Sequence, residues 1–466
     1  MFSSCLRNSC AGVAIWFVLL ISTGVARAGD TQTPGRELFD REWLQNDPLS
    51  GNGDGLGPMF NARSCAACHH QQGSGGGGGT QHNVDLLTLV DFNGSGSGPS
   101  RSSLEKLHPG FRTANSVTLH ALSNQQSYGS YRSALLGTGR PKIRSVSVKR
   151  NTERGRDLIE WGAFLLQQSQ RNTPSLFGAG LIDKISDAAL AELEKENLER
   201  LKLSNPTEQA GGSRGRFGGF GFGRSAARRF GWKGQTPTLK AFVAGACANE
   251  LGLQAKGNPQ APDVTNVAYR RDRVDMTAGQ LDALVGYVAS LPPPKRWDPS
   301  SHHEAESMTR GALLFGQAKC QTCHIQDVEN VRGIYSDLQL HDMGKGLSDP
   351  TGRALTTSTP RGIPARPVKQ QDYNDPDLVV TPEVTAGSSA PYYGPTIVNL
   401  AATWRTPPLW GVRDSAPYMH DGRAATLDEA IKWHDGEAAD SAARYRKMSP
   451  SERHDLVMFV YSLGAP

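Results

Sequence analysis

The chain has 466 residues, enough for two to four ordinary domains. At 37% hydrophobic and 20% charged residues it can bury a core, which excludes a wholly disordered chain. A formal charge of +5 is too mild to argue for nucleic acid, and seven cysteines are too few and too scattered for a disulfide-built scaffold; 52 glycines and 28 prolines promise long loops.

Residues 1–28 read as a secretory signal. Arg7 supplies the positive start, Ala11 to Val18 with Leu19, Leu20 and Ile21 the apolar stretch, and Ala26-Arg27-Ala28 the cleavage site. That stretch falls short of the ~20 apolar residues of a membrane helix, and no later segment reaches that length either. Cys10 precedes the apolar stretch, so no lipoprotein anchor is suggested. The expected destination is the periplasm or the exterior, with cleavage after Ala28. Cys65, Cys68, Cys247, Cys320 and Cys323 then remain.

In the first half, Gly35-Arg36-Glu37-Leu38-Phe39 reads as an opening helix. A turn-rich insertion around Gly51-Asn52-Gly53-Asp54-Gly55 leads to Cys65-Ala66-Ala67-Cys68-His69. Gly73 to Gly79 reads as a flexible loop tip. After a turn at Thr173-Pro174-Ser175-Leu176-Phe177-Gly178, a second insertion spans roughly 194–245. Its segment Gly211 to Gly234 carries Arg214, Arg216, Arg224, Arg228, Arg229 and Lys233 and no acid. Interleaved Phe217, Phe220 and Phe222 mimic an RNA-binding stretch; in an exported chain a basic loop that docks an acidic partner or touches the carboxylates of a bound group is the better reading, and no nucleic-acid partner is expected. Thr277 to Leu291 is an amphipathic closing helix, with Leu281, Leu284, Val285, Val288 and Leu291 on one face.

Pro292 to Glu304, with three consecutive prolines, reads as a linker. The pattern then recurs. Gly311-Ala312-Leu313-Leu314-Phe315 opens the second half, Cys320-Gln321-Thr322-Cys323-His324 follows, and Thr406-Pro407-Pro408-Leu409-Trp410-Gly411 repeats the turn. Pro450 to Leu463 closes it, with Leu456, Val457, Val460 and Leu463 on one face.

Both cysteine pairs are C-x-x-C-H, the attachment signature of c-type haem. Two thiols at this spacing reach the two vinyl groups of one porphyrin, and the adjacent His lies under the iron. A zinc ribbon needs its knuckles some 15–20 residues apart, whereas these are about 250 apart. Two covalent haem c groups are therefore expected, held by Cys65, Cys68 and His69 and by Cys320, Cys323 and His324. The expected fold is mainly α with long loops: two cytochrome-c-like domains in tandem, 29–291 enlarged by insertions and 305–466, joined by 292–304. Arg405 and Arg423 suit haem propionates, as Arg suits bidentate carboxylates. Trp404, Trp410 and Trp433 flank the second-half motifs and are candidates to carry electrons, or simply to pack.

With these motifs in place, the chain resembles the bacterial di-haem oxidoreductases, a family also labelled thiol oxidoreductase. It is similar, more distantly, to di-haem cytochrome c peroxidases and to the di-haem enzyme that matures a tryptophan-derived quinone. The resemblance is carried by Gly55 to Arg63, Gly231 to Pro237, Ile334 to Asp337, His341 to Gly344, Arg405 to Gly411 and Ala416 to Arg423.

The resemblance implies two unlike irons. For the second, the peroxidases' distal methionine position matches His434, with Met343 as the alternative and His341 a weaker rival. For the first, the peroxidases' catalytic glutamate matches Glu250 in Asn249-Glu250-Leu251-Gly252, where it would move a proton between the peroxide oxygens as the O–O bond breaks. His70, His82, His108 and His120 are candidate distal groups there, and His82 follows closely enough to fold over the haem. A Ca²⁺ held by backbone carbonyls matches Ser415 and Pro417.

The expected function is a periplasmic peroxidase-type oxidoreductase. A small donor such as a cytochrome would pass electrons through the second haem to a peroxide-reactive first haem. The alternatives are a di-haem electron carrier without catalysis, or an oxidase or oxygenase of a protein side chain or organic substrate.

Overall fold

The computed structural model describes residues 34–90, 105, 107–112, 114, 116–136, 143–146, 164–204, 229–266, 268–270, 273–349 and 402–464. The expected signal at 1–28 and the basic stretch 211–228 lie outside the described residues. Among those described, no helix is long and apolar enough to cross a membrane.

The described part is helix-rich. Its helices are α1 (Pro34–Asp40), α2 (Cys65–Cys68), α3 (Tyr128–Leu136), α4 (Ala179–Asp183), α5 (Asp187–Ser204), α6 (Leu239–Glu250), α7 (Ala278–Ser290), α8 (His302–Gln317), α9 (Leu427–Trp433), α10 (Ala439–Lys447) and α11 (Pro450–Tyr461). The closing helices start where their side chains dictate. Thr277 and Ser449 each form a capping box, with Gln280 and Glu452 returning a bond to the cap. In α7, Leu281, Leu284 and Val288 are buried, each adding about 1.5–3 kcal/mol over exposure.

The same relationships occur in both halves. α1 packs on α7, and α8 on α11. Gly35 and Gly311 stand at these crossings, where an added Cβ would strike the backbone carbonyls of Ala283 and Asp455. Phe39 and Phe315 then place their rings 6.3 Å and 6.5 Å from His69 and His324. The paired turns match as well. The N–H of Gly178 donates to the Leu291 carbonyl at 3.1 Å, and that of Gly411 to the Leu463 carbonyl at 3.0 Å. Both glycines take left-handed φ, 74° and 68°, a conformation that costs glycine little.

Each half has its own apolar cluster. Phe39, Trp43, Leu176, Val243 and Leu284 belong to the first, and Phe315, Leu427, Tyr445, Leu456 and Phe459 to the second. The first also takes in Val328, Val331, Ile334, Leu338 and Trp410, so packing crosses the expected linker. The linker itself is bound, with the Trp297 N–H donating to the Ser462 carbonyl at 3.3 Å.

One element corrects the expectation of helices and loops alone. Between the first motif and Thr173 lies an antiparallel sheet in the order β3-β2-β6-β5, built from β2 (Val84–Val90), β3 (Ser116–Leu119), β5 (Ile143–Val146) and β6 (Phe164–Arg171). The remaining strands are short pairs: β1 (Met59–Phe60) with β4 (Leu122–Ser123), and β7 (Leu340–Asp342) with β8 (Thr403–Arg405). Leu87, Val117 and Leu119 bury one face of the sheet against Phe111 and Leu135, while Asp85 is tied by Arg132, Gln168 and Gln170. The run Val84 to Val90 holds Val, Leu and Thr; its pairing partner, β6, lies some 80 residues on.

Candidate functional site

At the first motif, Ser64 caps α2 by accepting the Ala67 N–H at 3.0 Å, which aligns Cys65 and Cys68 on one short turn and ends the helix at His69. The His69 Nδ1–H donates to the Gly76 carbonyl at 3.1 Å. Burial pushes the pKa down to about 4, against the Gly76 and Pro174 carbonyls that raise it, so the ring is neutral near pH 7. Gly75 to Gly78 are buried around this histidine. The Gly75 N–H donates to the His69 carbonyl at 3.0 Å, and a Cβ at Gly76 would strike the Gln71 backbone. The glycine run expected as a loose tip is instead a close-packed strap, glycine because the backbones touch.

Glu250 ends α6, 189 positions from Asn61 in sequence, and accepts the Asn61 Nδ2–H at 2.6 Å. Burial raises its pKa and the Asn61 bond partly offsets this. Asn61 is itself oriented by Oδ1 accepting the Ala121 N–H at 2.8 Å, at the end of the inserted sheet. Glu250 sits by the motif: Cys68 is pushed up to about 12 by burial and then by the Glu250 charge. Cys247, one turn earlier, is buried near Cys65.

The four candidate histidines separate. His82 places Nδ1 3.7 Å from Cys68 Sγ. His70 is exposed and donates to the Ala67 carbonyl at 3.1 Å. His120 donates Nε2–H to the Asn249 carbonyl at 2.9 Å. His108 caps its own turn by accepting the Gly110 N–H at 3.0 Å.

The second motif starts with Lys319 in left-handed conformation, φ 62°. His324 repeats the geometry of His69. Its Nδ1–H donates to the Tyr335 carbonyl at 3.0 Å, leaving Nε2 bare, and burial followed by His434 lowers its pKa to about 4. His434 ends α9 and donates Nδ1–H to the Ala430 carbonyl at 2.8 Å, which bares its Nε2 also. The rings of His324 and His434 have centroids 6.4 Å apart. Imidazoles bound trans to one metal at about 2.0 Å, each centroid about 1.1 Å behind its nitrogen, stand about 6.2 Å apart.

His341 has no nitrogen to spare: Nδ1 meets Glu437 Oε2 at 2.7 Å and Nε2 meets Asp337 Oδ2 at 2.9 Å. This removes it as an axial rival to His434. Met343 lies on the wall of the same cavity. Cys323, Asp337 and His341 bring ligand atoms within 4.8 Å of one another, a grouping a metal ion could use if the thiol were free.

The cavity holds about 520 Å³ and is lined by Cys320, Cys323, His324, His434, Trp404 and Arg405, among others from both halves. Arg405 donates Nε–H to the Gly231 carbonyl at 2.9 Å, while its buried Nη1 has no partner, and burial lowers its pKa to about 10. Arg423 is engaged: it pairs with Asp421 at 2.7 Å and donates to the Gly346 carbonyl at 2.6 Å.

The halves meet at Trp404. The His420 ring stacks on it with centroids 3.6 Å apart, Lys233 Nζ stands 3.4 Å from the ring centroid, and Asp349 binds Arg171 and His420. Trp410 is buried against Gly178, whereas Trp433 is 42% exposed beneath Arg423. Lys233 and Arg229 are buried and bonded, so these two members of the basic stretch do not present a docking surface. Ser415 and Pro417 flank Ala416, whose carbonyl accepts from Gln71 of the first half at 2.5 Å.

Residues 396–463 match a family profile described as "Di-haem oxidoreductase, putative peroxidase". A related protein, the methylamine utilization protein MauG of Methylorubrum extorquens, is 25% identical over 257 residues, 47% of this chain and 59% of that protein. The cytochrome-c peroxidase IdrP1 of Denitromonas iodatirespirans is 28% identical over 166 residues, 34% of this chain and 40% of its own.

Over these stretches the chain is similar to the di-haem oxidoreductases.

Hydrazine synthase subunit gamma of Kuenenia stuttgartiensis is also similar, 29% identical over 189 residues, 40% of this chain and 49% of that protein. The chain thus spans about half the length of the relatives it matches. Among solved structures, a MauG-like protein associated with microbial copper homeostasis aligns with a TM-score of 0.28 and 17% identity, over 50% of this chain and 72% of that one. Haem is the cofactor that the matched di-haem profile implies, and the residues present fit it. His324 keeps one bare nitrogen, and a large cavity opens at the second motif. The orphaned Arg405 Nη1 suits a carboxylate.

Proposed function

We propose that this oxidoreductase is an exported, peroxidase-type enzyme of two cytochrome-c-like units, each carrying one covalent haem c. His324 and His434 would hold the second haem, which would take electrons from a small donor such as a cytochrome, and His69 would hold the first, which would supply the chemistry on peroxide. Haem when bound supplies the redox chemistry; the chain supplies the difference between the two centres.

That difference carries the reading. Thr238 caps α6 as Thr426 caps α9. Eight residues beyond each cap stands His434 in the second half but Ala246 in the first. At the first motif, then, the matching position has no ligating side chain, and one helical turn on stands Glu250. Its raised pKa suits a group that takes a proton from one peroxide oxygen and returns it to the departing one, releasing water. A Ca²⁺ held by the carbonyls of Ser415 and Pro417 would brace the turn that touches Gln71. Arg405 would hold a propionate; Arg423 would do so only by releasing Asp421.

The test is peroxide-driven oxidation of a reduced donor by protein carrying both haems. Glu250→Gln should lose about 10²–10⁴-fold in rate with haem content unchanged. Wild-type protein that oxidises no donor with peroxide, and keeps its Soret band on peroxide addition, overturns the proposal. His82, beside Cys68, favours one competing reading, a carrier in which this ring fills the first haem's sixth position. Only low-spin signals and no CO binding would decide for it.

A further inference from the structure

His434 is the last residue before the chain leaves α9, a helix of only seven residues, and it already has non-helical ψ, 128°. Such short helix ends fray unless something beyond them is tied down. Here the tie is visible. Asp435 and Gly436 turn the chain, with Gly436 at φ 57°, and Glu437 follows.

The Glu437 carboxylate is spent on the opposite segment. One oxygen meets His341 Nδ1 at 2.7 Å and the other accepts the Asp342 N–H at 3.0 Å. The far side of His341 is fixed by Asp337, which also accepts from Asn197 Nδ2 at 2.6 Å. Close backbone approach backs the pair: a Cβ at Gly436 would strike the Asp342 carbonyl, and one at Gly344 would meet Asp435. His341, Asp337 and Glu437 are nearly solvent-free, with side chains 5%, 0% and 8% exposed.

We propose that His341 is a positioning residue: clamped between Asp337 and Glu437, it latches the segment after α9 and thereby holds His434 in place at the second haem. The inference rests on His434 being the axial ligand. The latch acts from outside the iron, through three residues of backbone, and joins strand β7 to the ligand helix.

The experiment uses the holo-protein with both haems, read by EPR of the oxidised state and by CO uptake of the reduced state. Glu437→Ala should give the second haem a high-spin signal and raise CO uptake from about one towards about two per chain, with the first haem's signals unchanged. Glu437→Gln keeps the volume and an acceptor for Asp342, so it should fall between wild type and alanine; it carries the test alone if the alanine variant does not accumulate. His434→Ala is the reference. If it turns high-spin while both Glu437 variants stay low-spin with unchanged CO uptake, the latch is overturned and the ligand assignment stands. If His434→Ala itself stays low-spin, the ligand assignment is overturned and the latch with it.

Discussion

The rings of His324 and His434 lie with centroids 6.4 Å apart at an interplanar angle of 53°, each Nδ1 bonded to a backbone carbonyl and each Nε2 bare. This pairing joins a residue fixed by its motif to one 110 positions later, both on the wall of one cavity. His434→Ala should convert one of two haems to high-spin, and added imidazole should restore the low-spin signal. A visible and EPR spectrum checks it; a low-spin signal that survives without imidazole transfers the role to Met343.

Asn61 connects the inserted sheet to Glu250, accepting from Ala121 and donating to the carboxylate. Its bond lowers the Glu250 pKa against the rise caused by burial. Asn61→Ala removes the lowering, so the pKa rises and less Glu250 is ionised at neutral pH. The rising limb of peroxide turnover should move to higher pH. An unmoved pH–rate limb would disconnect Asn61 from the acid–base step.

Helix crossings give opposite signs for the same substitution. Gly35→Ala and Gly311→Ala each drive a methyl into a carbonyl of the closing helix and should cost about 1–3 kcal/mol, several degrees in Tm. Gly286→Ala, in the same α7, meets nothing within 4 Å and should stabilise by about 0.5–1 kcal/mol. Thermal melts of the three variants decide it.

His120 is 3% exposed, and burial holds its pKa at about 4. The unfolded chain takes up this proton near pH 6.5 and the folded one only near pH 4, so between these values the unfolded state binds more protons and stability falls as pH falls. His120 alone contributes a loss of roughly 3 kcal/mol across that window. Urea unfolding of holo His120→Gln at several pH values should show a shallower acid slope than wild type; equal slopes refute the assignment.

Calcium at the Ser415 and Pro417 carbonyls predicts a chelator effect. Holo-protein treated with EDTA should melt at lower temperature and recover on adding Ca²⁺ but not Mg²⁺, whose octahedral demand such carbonyls do not meet. A melt indifferent to EDTA removes the ion.

The sequence alone determined the two Cys-x-x-Cys-His motifs, the opening and closing helices, and the recurrence of the same segments in the two halves. These are local properties: neighbouring thiols on one turn, apolar residues at helical spacing. Even there, Gly73 to Gly79 misled, because composition reports backbone freedom and not what packs against it. Tertiary structure alone decided the rest. It showed that His341 has both nitrogens engaged while His434 keeps one bare, that Arg405 has a partnerless nitrogen, and that Asn61 reaches Glu250 from 189 residues away. A histidine's usefulness depends on which of its nitrogens is already bonded, and that is settled by partners whose distance along the chain carries no pattern to read.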